Sequence, residues 1–242
     1  MNQSTTMPSV LRIAIFYDGT FFDKISKYFK FYHTRASYIN FNGLHEFIRN
    51  KIAERYSTDA AYCHVVESHF FRGRFSFAAA KLANALEKDR ILDQHLMYAG
   101  IQPHYHPMKE TAEKAEEKGI DTWLSLEAYD MAVHKGFDLL VLFAGDQDFV
   151  PLIRKINSLG TRVMVLGADV EWEDNTGRRN WINTSQALIN ESCYPIMLNH
   201  EVDQRGNRND SIIDGLFGWK GLALGKWGPE RYLGDTTPNF GP

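Results

Sequence analysis

Four aspartates stand where this chain could do chemistry. Asp18 closes the apolar run "LRIAIFYDG", Asp121 follows the glycine of "EKGID", and Asp146 and Asp148 end "FDLLVLFAGDQD". Carboxylates brought together repel, and some take up protons unless a cation intervenes. A hard divalent ion, Mg2+ or Mn2+, prefers carboxylate oxygen and water and keeps phosphate oxygens as further ligands. Such an ion lowers the pKa of an attacking water and steadies the leaving oxygen of a phosphodiester. Asp18, Asp121, Asp146 and Asp148 are therefore candidate catalytic residues and candidate metal ligands. On an extended strand end, D-x-D spacing places both side chains on one side. Each acid also has an ordinary use. Asp148 could cap the helix after it, Asp121 could favour its helix start through the dipole, and Asp18 before Gly19 could belong to a turn.

Stepping outward to the elements that must position them, "LRIAIFYDG" reads as a buried strand with a glycine stop. Residues 20–33 show helical spacing of Phe21, Ile25, Tyr28, Phe29 and Tyr32. Asn42 is a candidate cap for a helix over about 43–57. Residues 61–71 are β-branched and aromatic and predict a second strand, with "RGRFS" as the loop after it. Residues 76–98 predict one long helix. "IQPHYHP" is a short extended piece whose prolines suit a sheet edge, and 109–119 is a charged, solvated loop. A helix follows from 121 to about 134, then a strand over 137–145. A further helix covers 148–160 with Pro151 in its first turn, and a strand covers 161–168. After a polar loop, "EWEDNTGRRN", a short helix with Asn183 or Thr184 as cap and a last strand, "YPIML", complete the pattern.

Strands alternating with helices over about 10–168 predict a parallel α/β sheet with right-handed crossovers. Ligands bind such sheets beyond the carboxyl ends of the strands, near the point where strand order reverses. All four aspartates fall on that edge.

The segments "IAIFYDGTFF", "EKGIDTWLSLEAYDMAV" and "DLLVLFAGDQDFVPLIRKINSLGTRVMVLG" resemble the NYN domain, in the LabA-like branch of the PIN-domain nuclease superfamily. That pattern runs D-G-x-N, then K-G-x-D at a helix start, then S-G-D-x-D-F. Here it reads Asp18-Gly19-Thr20-Phe21, Lys118-Gly119-Ile120-Asp121 and Ala144-Gly145-Asp146-Gln147-Asp148-Phe149. The resemblance covers about 11–168. It implies a PIN-like three-layer α/β/α fold with a mainly parallel sheet and metal-dependent cleavage of RNA, endonucleolytic and on single strands. It also implies that Asp18, Asp121, Asp146 and Asp148 are the acidic metal ligands. Two departures stand out: Phe21 replaces the asparagine, and Ala144 replaces the serine. They leave metal binding expected and motivate an alternative, a weakly active or inactive RNA-binding module of the same fold.

Around these acids, Arg72 and Arg74 in "FFRGRFS" could grip phosphates, and Phe71 or Phe75 could stack a base. Lys118 and Thr20 are further candidate RNA contacts. Glu127, six residues after Asp121, is about 120° round its helix and is read as an exposed acid. His104 and His106 are two apart, as in a strand-face zinc pair, but no third ligand stands near, so a solvated edge is the better reading. Arg178, Arg179 and Trp181 read as surface.

The bulk properties exclude several classes. A formal charge of −3 over 242 residues argues against a general nucleic-acid binder, so any RNA contact must be local. Two distant cysteines, Cys63 and Cys193, suggest a reducing compartment. No window approaches a membrane span, and the start lacks the pattern of a signal peptide. The protein is expected in the cytoplasm, with no membrane partner. The expected organisation is a flexible 1–10, a nuclease domain over 11–199, and a tail over 200–242. The tail, with Trp219, Trp227 and Phe240, reads as flexible or docked rather than core, and could support homo-oligomers.

Overall fold

The computed structural model describes residues 9–111, 115–205 and 210–217. Strand β1 (Leu11–Asp18) leads without a loop into α1 (Gly19–Phe31), followed by α2 (Phe41–Tyr56) and the long strand β2 (Cys63–Arg74). Then come α3 (Phe77–Leu82), α4 (Leu86–Tyr98), β3 (Gln102–Pro107), and a small hairpin of β4 (Lys109–Glu110) and β5 (Ala115–Glu116). Helix α5 (Ile120–Lys135), β6 (Leu139–Phe143), α6 (Val150–Ser158) and β7 (Arg162–Gly167) follow. The described chain continues through β8 (Val170–Glu173), β9 (Arg179–Ile182), α7 (Gln186–Glu191), β10 (Tyr194–Met197), α8 (Leu198–Arg205) and α9 (Ser211–Phe217).

Six strands form one parallel sheet in the order β10-β7-β6-β1-β2-β3. Strand β1 shows how the sheet divides its helices, because side chains alternate between faces. Ile13, Ile15 and Tyr17 enter a core shared with α1, α2, α8 and α9. Ala14 and Phe16 enter a second core with α5, α6 and α7. The result is the expected three-layer α/β/α architecture with a parallel centre.

Several boundaries differ from the sequence reading for local reasons. Asn40, not Asn42, caps α2: its side chain accepts from the N–H groups of Asn42 and Gly43. The helix expected over 76–98 breaks into α3 and α4 at Asn84, which takes a left-handed backbone (φ 51°), a conformation asparagine tolerates better than most residues. Residues 72–74 of "RGRFS" extend β2 instead of looping, because Arg72, Gly73 and Arg74 pair with Tyr105, His106 and Pro107 of β3. The charged 109–119 segment holds the β4–β5 hairpin, and "EWEDNTGRRN" lies largely in the β8–β9 hairpin. Strand β3 does lie at the sheet edge.

The largest difference concerns residues beyond 200. Val202, Ile213 and Leu216 are buried in the first core, so this stretch is not merely appended. The N–H of Asn40 donates to the carbonyl of Leu216 at 2.7 Å, and Arg35 pairs with Asp214 at 2.7 Å. Apolar residues spaced three apart in "SIIDGLF" carry that helical signal on a polar background. Trp219, Trp227 and Phe240, like residues 1–8, lie outside the described residues. Among the described residues, no helix is long and apolar enough to cross a membrane.

Candidate active site

Strand order reverses between β1 and β6. From β1 the chain builds outward through β2 to β3, and from β6 through β7 to β10. The crevice at such a reversal opens beyond the carboxyl ends of the strands. Asp18 is the last residue of β1 and Asp146 comes three residues after the end of β6, so both stand at this point.

Asp18 is the N-cap of α1. Its Oδ1 accepts from the N–H groups of Thr20 and Phe21, both at 3.0 Å. Burial pushes its carboxyl pKa up to about 6; repulsion from Asp121 and Glu117 adds to the rise, and the two N–H bonds oppose it. Asp121 stands in the first turn of α5, after Gly119, whose left-handed backbone (φ 78°) turns the chain into the helix. Its pKa is also raised, by burial first and then by repulsion from Asp146, Asp148 and Glu117. Asp121 thus feels the carboxylates of the other two segments.

Asp146 and Asp148 are not presented on an extended strand end. Residues Gln147–Phe149 form a single 3-10 turn capped by Asp146, whose Oδ1 accepts from the N–H of Asp148 at 2.9 Å. The capping role therefore belongs to Asp146, and both side chains are exposed. The departures from the family pattern lie just beneath them. Ala144 is fully buried, and the ring of the buried Phe21 packs against Gly145. A Cβ added at Gly145 would stand 2.4 Å from that ring, so the two residues require each other.

One acid here escaped the sequence reading. Glu117, half-buried just ahead of α5, accepts from the Thr20 hydroxyl and from the Gly73 N–H, each at 2.6 Å. In the sequence it is one of several charged residues in a polar segment, and nothing in the spacing separates it from Glu116.

The cationic candidates behave differently from one another. Arg72 lies 3.8 Å from Asp23 of α1 and stays partly open to solvent. Lys118 is exposed and 3.7 Å from Glu116. Arg74 is turned away from the acids instead: it donates to both carboxylate oxygens of Asp93 at 2.8 Å, lies 3.6 Å from Asp89, and stacks over Tyr105 at 3.9 Å. That engagement leaves it little freedom to grip a phosphate. Thr20 is likewise occupied by Glu117. Glu127 receives the Trp123 indole N–H at 3.1 Å, which directs it toward β2 and β3. His104 stacks on Phe71 at 4.2 Å and bonds His69 at 3.0 Å, so it is a packing residue.

The donor set suits a hard divalent cation in chemistry: among the described residues no cation pairs with Asp18, Asp121, Asp146 or Asp148, and burial first, then neighbouring acids, raise the carboxyl pKa of Asp18 and Asp121. The shell is not closed. No three His, Cys, Asp or Glu side chains among the described residues stand ready to hold one ion. Asp18 and Asp146 each spend one oxygen on a backbone cap.

With fold and acids in place, the comparison with known families decides the assignment: the NYN domain matches residues 12–197. The chain is a NYN-domain protein. It thereby belongs to the PIN-like nuclease superfamily. A crystal structure of a protein of unknown function from Vibrio parahaemolyticus is similar in fold, with a TM-score of 0.51 over 80% of this chain and 96% of that one, at 18% identity. No curated protein matches the sequence.

Proposed function

We propose that this NYN protein is a metal-dependent ribonuclease, endonucleolytic on single-stranded RNA, using Mg2+ or Mn2+. One observation carries the reading. Three chain segments far apart in sequence deliver Asp18, Asp121 and the Asp146–Asp148 pair to one sheet edge, where Asp18 and Asp121 feel neighbouring acids, and among the described residues no cation pairs with any of the four. Uncompensated charge of this kind costs stability, and a chain keeps it where function needs it.

Asp18, Asp121, Asp146 and Asp148 would hold the ion, which supplies a more acidic water and charge neutralisation at the phosphate. The remaining work falls to the chain. The backbone cap fixes Asp18 on the rigid end of a central strand. The uncapped oxygen of Asp146 and the exposed Asp148 side chain would orient a water against the phosphorus. Arg72 and Lys118 would serve as rim contacts, since contacts to phosphate position the strand without reading its sequence. The LabA-like branch and action in the cytoplasm belong to the same proposal.

Buried Phe21 and Ala144 favour a second reading, in which the protein binds RNA and cuts it slowly or not at all. One experiment separates the two. Purified protein is incubated with single-stranded RNA and DNA in Mn2+, with Asp146→Asn alongside. The expected outcome is cleavage of RNA and a loss of about a hundredfold or more in the variant. Cleavage that persists in Asp146→Asn and in excess EDTA sinks the nuclease reading. Retention without cleavage moves the assignment to the binding module.

A further inference from the structure

Glu117 holds an expensive position. It is half-buried, and its negative charge adds to the repulsion already felt by both Asp18 and Asp121. Two short charge-assisted hydrogen bonds hold it there, from Thr20 at the start of α1 and from Gly73 near the end of β2. The space is shaped for it. A Cβ at Gly73 would come within 2.5 Å of the Glu117 side chain, so the glycine opens the seat that the carboxylate fills. Two residues on, Gly119 turns the chain, and Asp121 follows in the first turn of α5. Glu117 is thus the point at which the segment leading into α5 is tied to the elements that carry Asp18.

We propose that Glu117 is a positioning residue: a latch joining Thr20 and Gly73 that fixes where Asp121 stands relative to Asp18. The four aspartates come from elements with separate supports. Asp18 is fixed by β1, and Asp146 and Asp148 by the end of β6, two strands paired side by side in the sheet. Asp121 comes from a helix start that enters from a polar segment. A side chain with one acceptor oxygen could satisfy either donor; a carboxylate satisfies both at once and so spans the gap between α1 and β2. This role explains why a negative charge is kept beside acids that it destabilises. It rests on the nuclease reading only where cation affinity is concerned; the latch itself is a property of the metal-free protein.

The test uses Glu117→Ala, Thr20→Val and the double variant in the full chain, each checked for folding by circular dichroism. Hydrogen exchange in EDTA reads the latch directly, because the Gly73 N–H is one of its bonds. Glu117→Ala should speed exchange at Gly73, and both single variants should speed exchange over 117–121, by about tenfold. Mn2+ affinity, measured by calorimetry, should fall about tenfold in each single variant and no further in the double variant, since both remove one device. Unchanged exchange at Gly73 in Glu117→Ala overturns the latch, whether or not the protein binds Mn2+. So does an Mn2+ affinity that Thr20→Val leaves untouched while Glu117→Ala abolishes it, which would make Glu117 a ligand. If wild-type protein binds no Mn2+ yet the exchange results hold, the latch stands and the nuclease reading fails.

Discussion

Two of the acidic groups on this molecule are handled in opposite ways. On α4, Asp89 and Asp93 meet Arg74, which donates to both oxygens of Asp93 and stacks on Tyr105, while the Tyr105 hydroxyl closes on Asp93. Every negative charge there has a positive or donating partner. At the carboxyl edge of the sheet, Asp18 and Asp121 carry pKa values raised first by burial and then by repulsion, on Asp18 from Asp121 and Glu117 and on Asp121 from Asp146, Asp148 and Glu117. The first group is a clamp; the acids of the second have no cation partner among the described residues. Acid density alone does not separate them; the counter-cation does. Arg74 shows the hazard, since its sequence neighbourhood suggests a phosphate grip and its partners show a structural tie.

The widest separation between the two groups should appear in paired substitutions. Asp121→Asn should lower RNA cleavage by about a hundredfold or more while leaving the urea midpoint unchanged or higher. Asp93→Asn should do the reverse: activity per folded molecule kept, with stability lower by roughly 1–3 kcal/mol, because Arg74 and Tyr105 lose a charged partner. A hundredfold activity loss in Asp93→Asn would erase the distinction. Next in size, Gly145→Ala should destabilise by about 1–3 kcal/mol in urea titrations, since a Cβ there drives into the Phe21 ring. Combining it with Phe21→Leu should recover part of the loss, as expected for two groups sharing one space.

What the sequence disclosed of all this follows a physical line. The parallel sheet was legible because buried strands write themselves as unbroken apolar runs, as in "LLVLF" of β6, which has no exposed residue. The three segments of the acidic edge were legible because each follows a strand end or a helix start. Long-range pairing was not. Nothing in "FFRGRFS" says that Arg74 belongs to Asp93, nineteen residues on, and nothing in "AEEKGID" marks Glu117 as the acid that reaches Thr20, 97 residues away. The D-x-D spacing misleads for a related reason: capping by Asp146 overrides the strand period once β6 ends. The burial of α9 is not legible because seven residues among polar neighbours give too short a period to read.

Adding a divalent cation should sharpen the contrast further. Mn2+ at a hundredfold excess over its dissociation constant should stabilise the protein by about 2.7 kcal/mol. Followed as a melting temperature, the rise should vanish in Asp146→Asn and persist in Arg74→Ala. A rise of equal size in both variants would place the ion elsewhere on the molecule.

The smallest effect, and the most specific, concerns pH. Asp18 has its folded pKa raised from 3.8 to about 6, so the folded chain holds this proton more tightly than the unfolded chain. Below pH 3.8 the carboxyl is neutral in both states and costs nothing. As pH climbs through about 6 the folded state must bear a charge that burial and its neighbours oppose, so stability falls across that window. Asp121 shifts in the same direction and adds to the fall. Asp18→Asn removes the charge but keeps a side-chain oxygen able to cap α1, a position where the two residues serve equally well. In EDTA the variant should match the wild type at pH 3.5 and exceed it at pH 7 by about 1 kcal/mol, while Asp93→Asn should show no such gain. Stability bought by deleting Asp18 would mark its charge as kept for something other than the fold.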